Sequence, residues 1–495
     1  MVTKQPRPNR TLDRDLKSRA RMEQANIATR RPFVAPSIAA AFIILAGLIA
    51  SMAFGWNAQS HIIVAATAVG AYMALNIGAN DVANNVGPAV GSNALSMLGA
   101  LVIAAIFETA GALLAGGDVV GTISKGIIDP AFINDPKVFV WVMFAALLSA
   151  ALWLNLATWL GAPVSTTHSI VGGVMGAGIA AAGYTAVNWP TMGKIAASWV
   201  ISPVLGGLVA ALFLWFIKAQ VSEKQDKIAA ARRWVPLLIA IMAGAFSTYL
   251  AVKGLKKIIK IDLQTALFIG AAAFAITYFI ARPFIRRKSE GKANTKETVR
   301  GLFKIPLICA AALLSFAHGA NDVANAVGPL AAIVHTAQAA EVASKVAIPL
   351  WVMGVGALGI SFGLILYGPK MIRMVGKQIT KLNPLRAYCV ALSAAITVII
   401  ASGLGLPVSS THIAVGAIFG VGFFREVHWR HSTSDSKVEK IIAVEAEKKS
   451  QAKRKHRKLV RRSHFLTIIA AWVITVPAAA ILSACIFMVI NTLTA

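Results

Sequence analysis

Acidic side chains are scarce in this chain, with 20 Asp and Glu against 48 Lys and Arg in 495 residues. Charged residues of both signs reach only 14%, while 57% of residues are hydrophobic. A soluble core of this length does not need so much apolar material. Cysteine is also rare, and Cys309, Cys389 and Cys485 each lie in an apolar block with neither metal nor redox spacing between them. They read as small apolar side chains and carry no information about compartment. No Gly-x-x-x-x-Gly-Lys-Ser/Thr stretch occurs, so nothing suggests direct use of ATP.

What the chain does have is apolar blocks of about 20 residues, long enough to cross a bilayer. In lipid every backbone polar group must be satisfied internally, which leaves helices or a closed barrel. Blocks this continuous are helical, because barrel strands alternate polar and apolar residues. The expected fold is an all-α polytopic membrane protein.

A net charge of +28 invites a nucleic-acid reading, but its distribution argues otherwise. Five segments hold the whole excess: 1–35, 218–233, 282–304, 370–386 and 425–464. All five fall before or between apolar blocks. This is the positive-inside pattern, and it predicts that these segments are cytoplasmic. No nucleic-acid partner is expected. The weaker rival is a contact of loop 425–464 with anionic lipid or a regulatory nucleic acid.

Residues 1–35 read as a basic cytoplasmic arm, too long and too charged for an ordinary signal peptide. Residues 36–55 read as an additional N-terminal transmembrane helix. A first repeat follows over 61–217, with one span from Ile62 through the Gly78 motif and on past Pro88, and others near 93–115, 137–160, from Pro163 onward, and 192–217. Residues 218–304 form a linker with two spans, near 234–252 and 262–281. A second repeat covers 302–490, with spans near 302–330, 345–369, 387–405, 407–424 and 464–490, and includes the basic loop 425–464. Thirteen crossings result by this reading, or about 12–13 if the Pro163 and Pro407 segments are re-entrant hairpins. The first repeat then starts outside and the second inside, so the repeats have inverted topology. Lys253, Lys256, Lys257 and Lys260 break the charge rule and are expected to lie at the membrane interface.

Two motifs occur twice. Gly78-Ala79-Asn80-Asp81-Val82-Ala83-Asn84-Asn85-Val86-Gly87-Pro88 returns 241 residues later as Gly319 to Pro329, differing only at Asn85 against Ala326. Gly161-Ala162-Pro163-Val164-Ser165-Thr166-Thr167-His168 is matched by Gly405 to His412, at an offset of 244. Carboxylates and carboxamides at membrane depth are expensive and mark function by default. Asp81 and Asp322 offer hard oxygen ligands suited to a small cation. Pro163 and Pro407 are expected to begin helices, with Ser and Thr beside them as caps and hydroxyl donors. A helix that starts inside the bilayer points free N–H groups and its positive dipole end into a cavity, which suits an anion. Two such starts, from inverted halves, would clamp one oxyanion, and cations on the carboxylates would remove the repulsion.

Each feature also has a plainer account. A single Gly-Ala-Asn-Asp is often packing glycine with a satisfied polar network, and Ser or Thr after Pro is often only a cap or helix contact. Duplication of both motifs in order weighs against that. His168 and His412 are expected to brace the hairpins rather than carry protons. His318 aligns with Ile77 in the repeat and is left out; Glu108, within an apolar span, is a candidate intramembrane ion pair or proton site, but its counterpart near Gly356 is not acidic, so it is not placed in the duplicated site.

These duplicated motifs resemble the inorganic phosphate transporter (PiT) family, over about 61–490. The resemblance implies an inverted repeat of discontinuous helices or re-entrant hairpins, with the site near the midplane. It implies a secondary active symporter of inorganic phosphate, driven by sodium ions or protons through alternating access, with no cofactor beyond that cation. Some bacterial relatives carry a neutral metal–phosphate complex, and others sulfate. Carried onto this chain, phosphate would meet Asn84, Ser165, Thr166 and Thr167 from one half and Asn325, Ser409, Ser410 and Thr411 from the other. Cations would sit at Asp81 and Asp322, helped by Asn80 and Asn321. The added helix 36–55, Asn85, and Ser410 in place of a Thr depart from the family pattern. Competing accounts are a sulfate symporter of the same fold, an intramembrane phosphatase and an anion channel. An enzyme is not expected, because a nucleophile–base site is not built by inverted duplication. The expected place is a cell membrane, the inner membrane of a bacterium, with the basic loops cytoplasmic and the lipid bilayer as surroundings. A homo-oligomer is compatible with the sequence.

Overall fold

The computed structural model describes residues 33–55, 58–129, 132–133, 135–254, 261–339, 341–342, 348–378, 382–434 and 462–494. The basic arm before residue 33, most of loop 425–464, and Lys256, Lys257 and Lys260 lie outside the described residues. Among those described there is no strand, only an isolated bridge between Ile128 and Val187.

The helices are, in order, α1 (Phe33–Phe54), α2 (Ala58–Asn80), α3 (Ala83–Gly91), α4 (Met97–Ala115), α5 (Gly117–Gly121) and α6 (Pro136–Leu160). Then come α7 (Thr166–Ala182), α8 (Trp189–Ile217), α9 (Lys227–Tyr249), α10 (Leu263–Ser289) and α11 (Lys296–Leu302). The last six are α12 (Lys304–Asp322), α13 (Ala324–Ala339), α14 (Leu350–Gln378), α15 (Pro384–Gly403), α16 (Ser410–Ser434) and α17 (Arg462–Thr494). Among the described residues, 11 segments are long and apolar enough to cross a membrane. The shorter α7 and the partly polar α16 stand beside them, each split from the helix before it by a Pro-containing loop. Leu267, Phe268 and Phe279 on α10 and Leu208 and Leu212 on α8 are exposed, an outer surface made for lipid.

Local chemistry sets the helix ends. Asp135 caps α6, accepting from Lys137 N at 2.8 Å, and Pro136 fills the first turn, where a missing N–H costs nothing. The helix stops at Gly161, whose φ of 74° lies in the left-handed region that glycine tolerates. Asn383 and Pro384 start α15 in the same way, and Gly405 (φ 68°) follows its end. Pro163 and Pro407 do not begin the next helices, contrary to the sequence expectation. They sit in the loop, and Ser165 and Ser409 are the caps, accepting from His168 N (3.1 Å) and His412 N (3.2 Å). A serine oxygen satisfies one of the unpaired N–H groups of the first turn, and a proline ring cannot.

Packing is reciprocal between the halves. A methyl on Gly78 would run into Ile360 O, and one on Gly319 would run into Glu108 O. Likewise Gly363 faces Leu75 O, and Gly111 faces Phe316 O. So α2 lies backbone to backbone on α14, as α12 does on α4. Gly172 and Gly176 of α7 face Val476 O and Ala480 O of α17, while Gly416 and Gly420 of α16 face Pro203 O and Gly207 O of α8. Small residues allow this approach, and the dispersion gained there holds helices together where lipid offers no hydrophobic drive. Each contact has its twin, so a pseudo-two-fold relation exchanges the halves. It makes Ile360 the counterpart of Glu108, rather than a residue near Gly356. Outside the paired set, α1 leans on α14 through Phe42–Phe362 and Phe54–Trp351 ring contacts, at 5.1 and 5.6 Å.

Candidate functional site

The chain breaks its helices at both motifs. Residues Asp81 and Val82 separate α2 from α3, and Val323 separates α12 from α13. Asp81 and Asp322 are 1% and 0% exposed, so both carboxylates sit at the breaks in the deep interior. The loops before α7 and α16 bring two helix N-termini to the same place. Ser165, Thr166, Thr167, Ser409, Ser410 and Thr411 are all buried there. Two positive dipole ends and their first-turn N–H groups therefore converge on the carboxylates.

Hydroxyls from both halves meet Asp81. Thr166 Oγ1 donates to Asp81 Oδ2 at 2.7 Å, and Thr411 Oγ1 donates to Asp81 Oδ1 at 2.8 Å. Ser410 Oγ donates to Asp322 Oδ2 at 3.0 Å. The carboxamides cross the interface too: Asn84 Nδ2 donates to Thr411 Oγ1 (2.9 Å), and Asn325 Nδ2 to Thr166 Oγ1 (3.0 Å) and Thr167 Oγ1 (3.3 Å). Asn84 Oδ1 is buried with no hydrogen-bond partner among the described residues, an acceptor left open inside the site. Of the twelve residues that the sequence nominates, ten gather in this network or cap the helices that feed it.

The other two, Asn80 and Asn321, are engaged by the loops. Asn80 Nδ2 donates to Thr158 Oγ1 (3.0 Å) and Ala162 O (3.2 Å), and its Oδ1 accepts from Val164 N (3.3 Å). In the amide orientation that satisfies its neighbours, Asn321 accepts from Ser402 Oγ (2.9 Å) and donates to Val408 O (3.2 Å) and Asp322 Oδ1 (2.9 Å). Both amides tie the break in one helix to the corner before the next.

Sequence reasoning missed three residues here. His318 Nδ1 lies 2.7 Å from Glu108 Oε2, and His318 Nε2 lies 3.0 Å from Asp322 Oδ2. Asn85 Nδ2 donates to Glu108 Oε1 at 2.7 Å. All three are fully buried. Atoms of Asp81, His318 and Asp322 that can bind a cation lie within 4.8 Å of one another. The signal was present, since ionisable residues within an apolar span mark function; the lack of a repeat counterpart hid it. His168 and His412 meet edge to face instead, their ring centroids 4.3 Å apart, with Trp199 tilted against His168 (3.8 Å) and Trp472 stacked on His412 (3.6 Å). Lys253 Nζ donates to Gly403 O at 3.3 Å, beside the corner that leads to α16.

A polytopic helical protein whose polar centre is assembled from broken helices of two halves has the build of a membrane transporter. The model of the Phosphate transporter family matches residues 77–483, and the chain belongs to that family. A candidate phosphate permease of Helicobacter pylori J99 is 46% identical over 518 residues, covering 95% of this chain and 97% of its own. One from Pyrococcus abyssi is 38% identical, covering 85% of this chain and 96% of its own. A solved structure described as a sodium-dependent phosphate transporter superposes with a TM-score of 0.76 at 35% identity, over 87% of this chain and 99% of that one.

Proposed function

We propose that this protein is a cation-coupled symporter of inorganic phosphate, working by alternating access between two inverted halves. The observation that carries the reading is that Thr166 and Thr411, from opposite halves, both donate to the Asp81 carboxylate. A cation on that carboxylate alters what both hydroxyls face, so cation and anion sites share atoms and sense each other. Asn84, Ser165, Thr166, Thr167, Asn325, Ser409, Ser410 and Thr411 bind phosphate. Asp81 and Asp322 take the cation, with Asn80 and Asn321 setting the geometry of the breaks. Without a cation the two carboxylates repel an arriving anion; with one they do not.

Phosphate is favoured over sulfate by the open acceptor Asn84 Oδ1 and the carboxylates beside it. Protonated phosphate oxygens donate to such groups, and sulfate has no proton to give. The solved relative described as sodium-dependent supports a sodium ion as driver. The basic segments support a cytoplasmic position for the loops they occupy. The family argues for a permease rather than an enzyme.

The test is uptake of labelled phosphate into proteoliposomes, with sodium and proton gradients imposed separately. Saturable uptake that follows one gradient is expected, with Asp81→Asn abolishing it while the protein remains in the membrane. Uptake indifferent to both gradients would indicate a channel. Equal sulfate uptake that phosphate does not inhibit would remove phosphate as the substrate.

A further inference from the structure

The exchange symmetry of the halves fails at three polar positions around the site, and the three failures touch one another. Asn85 stands opposite Ala326, Glu108 opposite Ile360, and His318 opposite Ile77. The polar member of every pair belongs to one continuous chain. Asn85 Nδ2 donates to Glu108 Oε1 (2.7 Å), Glu108 Oε2 meets His318 Nδ1 (2.7 Å), and His318 Nε2 reaches Asp322 Oδ2 (3.0 Å). Nothing comparable leads to Asp81, where the equivalent places hold Ala326, Ile360 and Ile77.

The consequence shows in the hydroxyls. Thr166 on Asp81 has its twin in Ser410 on Asp322. Thr411, which donates to Asp81 Oδ1, has its twin in Thr167, but Thr167 donates to Val408 O (2.9 Å) instead. Asp81 therefore holds one neutral hydroxyl on each oxygen. Asp322 holds Ser410 and the imidazole of His318 on Oδ2, and the Asn321 amide on Oδ1. A cation binding at Asp81 has only neutral donors to reorient. One binding at Asp322 has to compete with a ring nitrogen that Glu108 and Asn85 hold from behind, as outer-shell partners hold a ligand histidine.

We propose that Asn85, Glu108 and His318 are positioning residues that make the two carboxylates unequal, committing Asp322 to His318 and leaving Asp81 as the principal site of the coupling cation. Exact duplication would give two equal cation sites; this chain has one carboxylate held by hydroxyls alone and one held also by an imidazole. The proposal rests on the symport reading. It specifies which carboxylate the driving ion uses and which residues set that choice.

The experiment uses the full-length protein in proteoliposomes and in detergent. Uptake is titrated against the driving cation at saturating phosphate, then against phosphate at saturating cation, for wild type, Glu108→Gln and Asn85→Ala. Glu108→Gln is expected to change the half-saturating cation concentration by about tenfold, the size of one charge-assisted hydrogen bond. The KM for phosphate should stay within about twofold, because no phosphate contact is altered. Asn85→Ala, which installs the residue found at Ala326, should shift the cation constant in the same direction by less. In detergent, cation-dependent thermal stabilisation should survive in Asp322→Asn and vanish in Asp81→Asn. Equal loss in both Asp variants, or a Glu108→Gln protein matching wild type in its cation constant, overturns the proposal while leaving symport intact. Uptake indifferent to every cation gradient in wild type overturns both. If Glu108→Gln does not fold, Asn85→Ala and the two Asp variants still decide, since each removes a single polar group.

Discussion

The hydroxyl of Thr411 is a sharp place to press on the site, because its twin supplies an internal control. Thr411→Val keeps the shape of the side chain and removes a donor that lies 2.8 Å from Asp81 Oδ1. Thr167→Val removes the equivalent hydroxyl, which donates to the neutral Val408 O at 2.9 Å. Both also remove an acceptor for a carboxamide, Asn84 or Asn325, so that loss is common to the pair. The difference between the variants isolates the bond to the carboxylate. A hydrogen bond to a charged group contributes about 1.5–3 kcal/mol and a neutral one about 0.5–1.5 kcal/mol. At about 1.4 kcal/mol per tenfold, Thr411→Val should change apparent affinity for the driving cation by about 10- to 100-fold and Thr167→Val by about 2- to 10-fold. Uptake into proteoliposomes at saturating phosphate, titrated with the cation, reads both. A Thr167→Val effect equal to or larger than that of Thr411→Val would refute the assignment of the two hydroxyls.

Two further perturbations follow from the same geometry. Ser165→Ala combined with Ser409→Ala removes both helix caps, each contributing about 1 kcal/mol. The thermal midpoint should fall by a few degrees and the KM for phosphate should rise; an unchanged KM would move the anion away from these helix starts. Gly319→Ala and Gly78→Ala drive a methyl into Glu108 O and Ile360 O of the facing helices. Overpacking of this kind costs about 1–3 kcal/mol, so both variants should show a lower midpoint by differential scanning fluorimetry. A wild-type midpoint in either would mean that the helices do not run in backbone contact.

Much of the fold was legible because apolar blocks and caps are local signals. The spans read at 137–160 and 192–217 are α6 and α8, and the block read at 93–115 contains α4. The break of α2 and α12 at the repeated motif was not read: the spans ran straight through Asp81 and Asp322, and discontinuous helices were implied only by the family resemblance. Helix starts were read less well. Proline is the loudest local letter in Pro163-Val164-Ser165, but serine carries the oxygen that the first turn needs, and the helix begins after it. Packing partners were not legible at all. Nothing local in Gly319 says that Glu108 O lies against it.

The same limit explains why the asymmetric chain was hidden. Comparing the repeats finds what is duplicated, and it discards His318, Glu108 and Asn85 because their counterparts are Ile77, Ile360 and Ala326. Under the proposed mechanism that discarded set has a physical role of its own. Two inverted halves with identical sites would make the outward- and inward-facing forms mirror one another, with equal energies and equal cation affinities. A chain of buried polar groups that leads to Asp322 and has no twin at Asp81 removes that degeneracy, because exchanging the halves no longer leaves the site unchanged. The duplicated residues thus build a place for an anion and a cation, and the unduplicated ones decide on which side of it the cation is held.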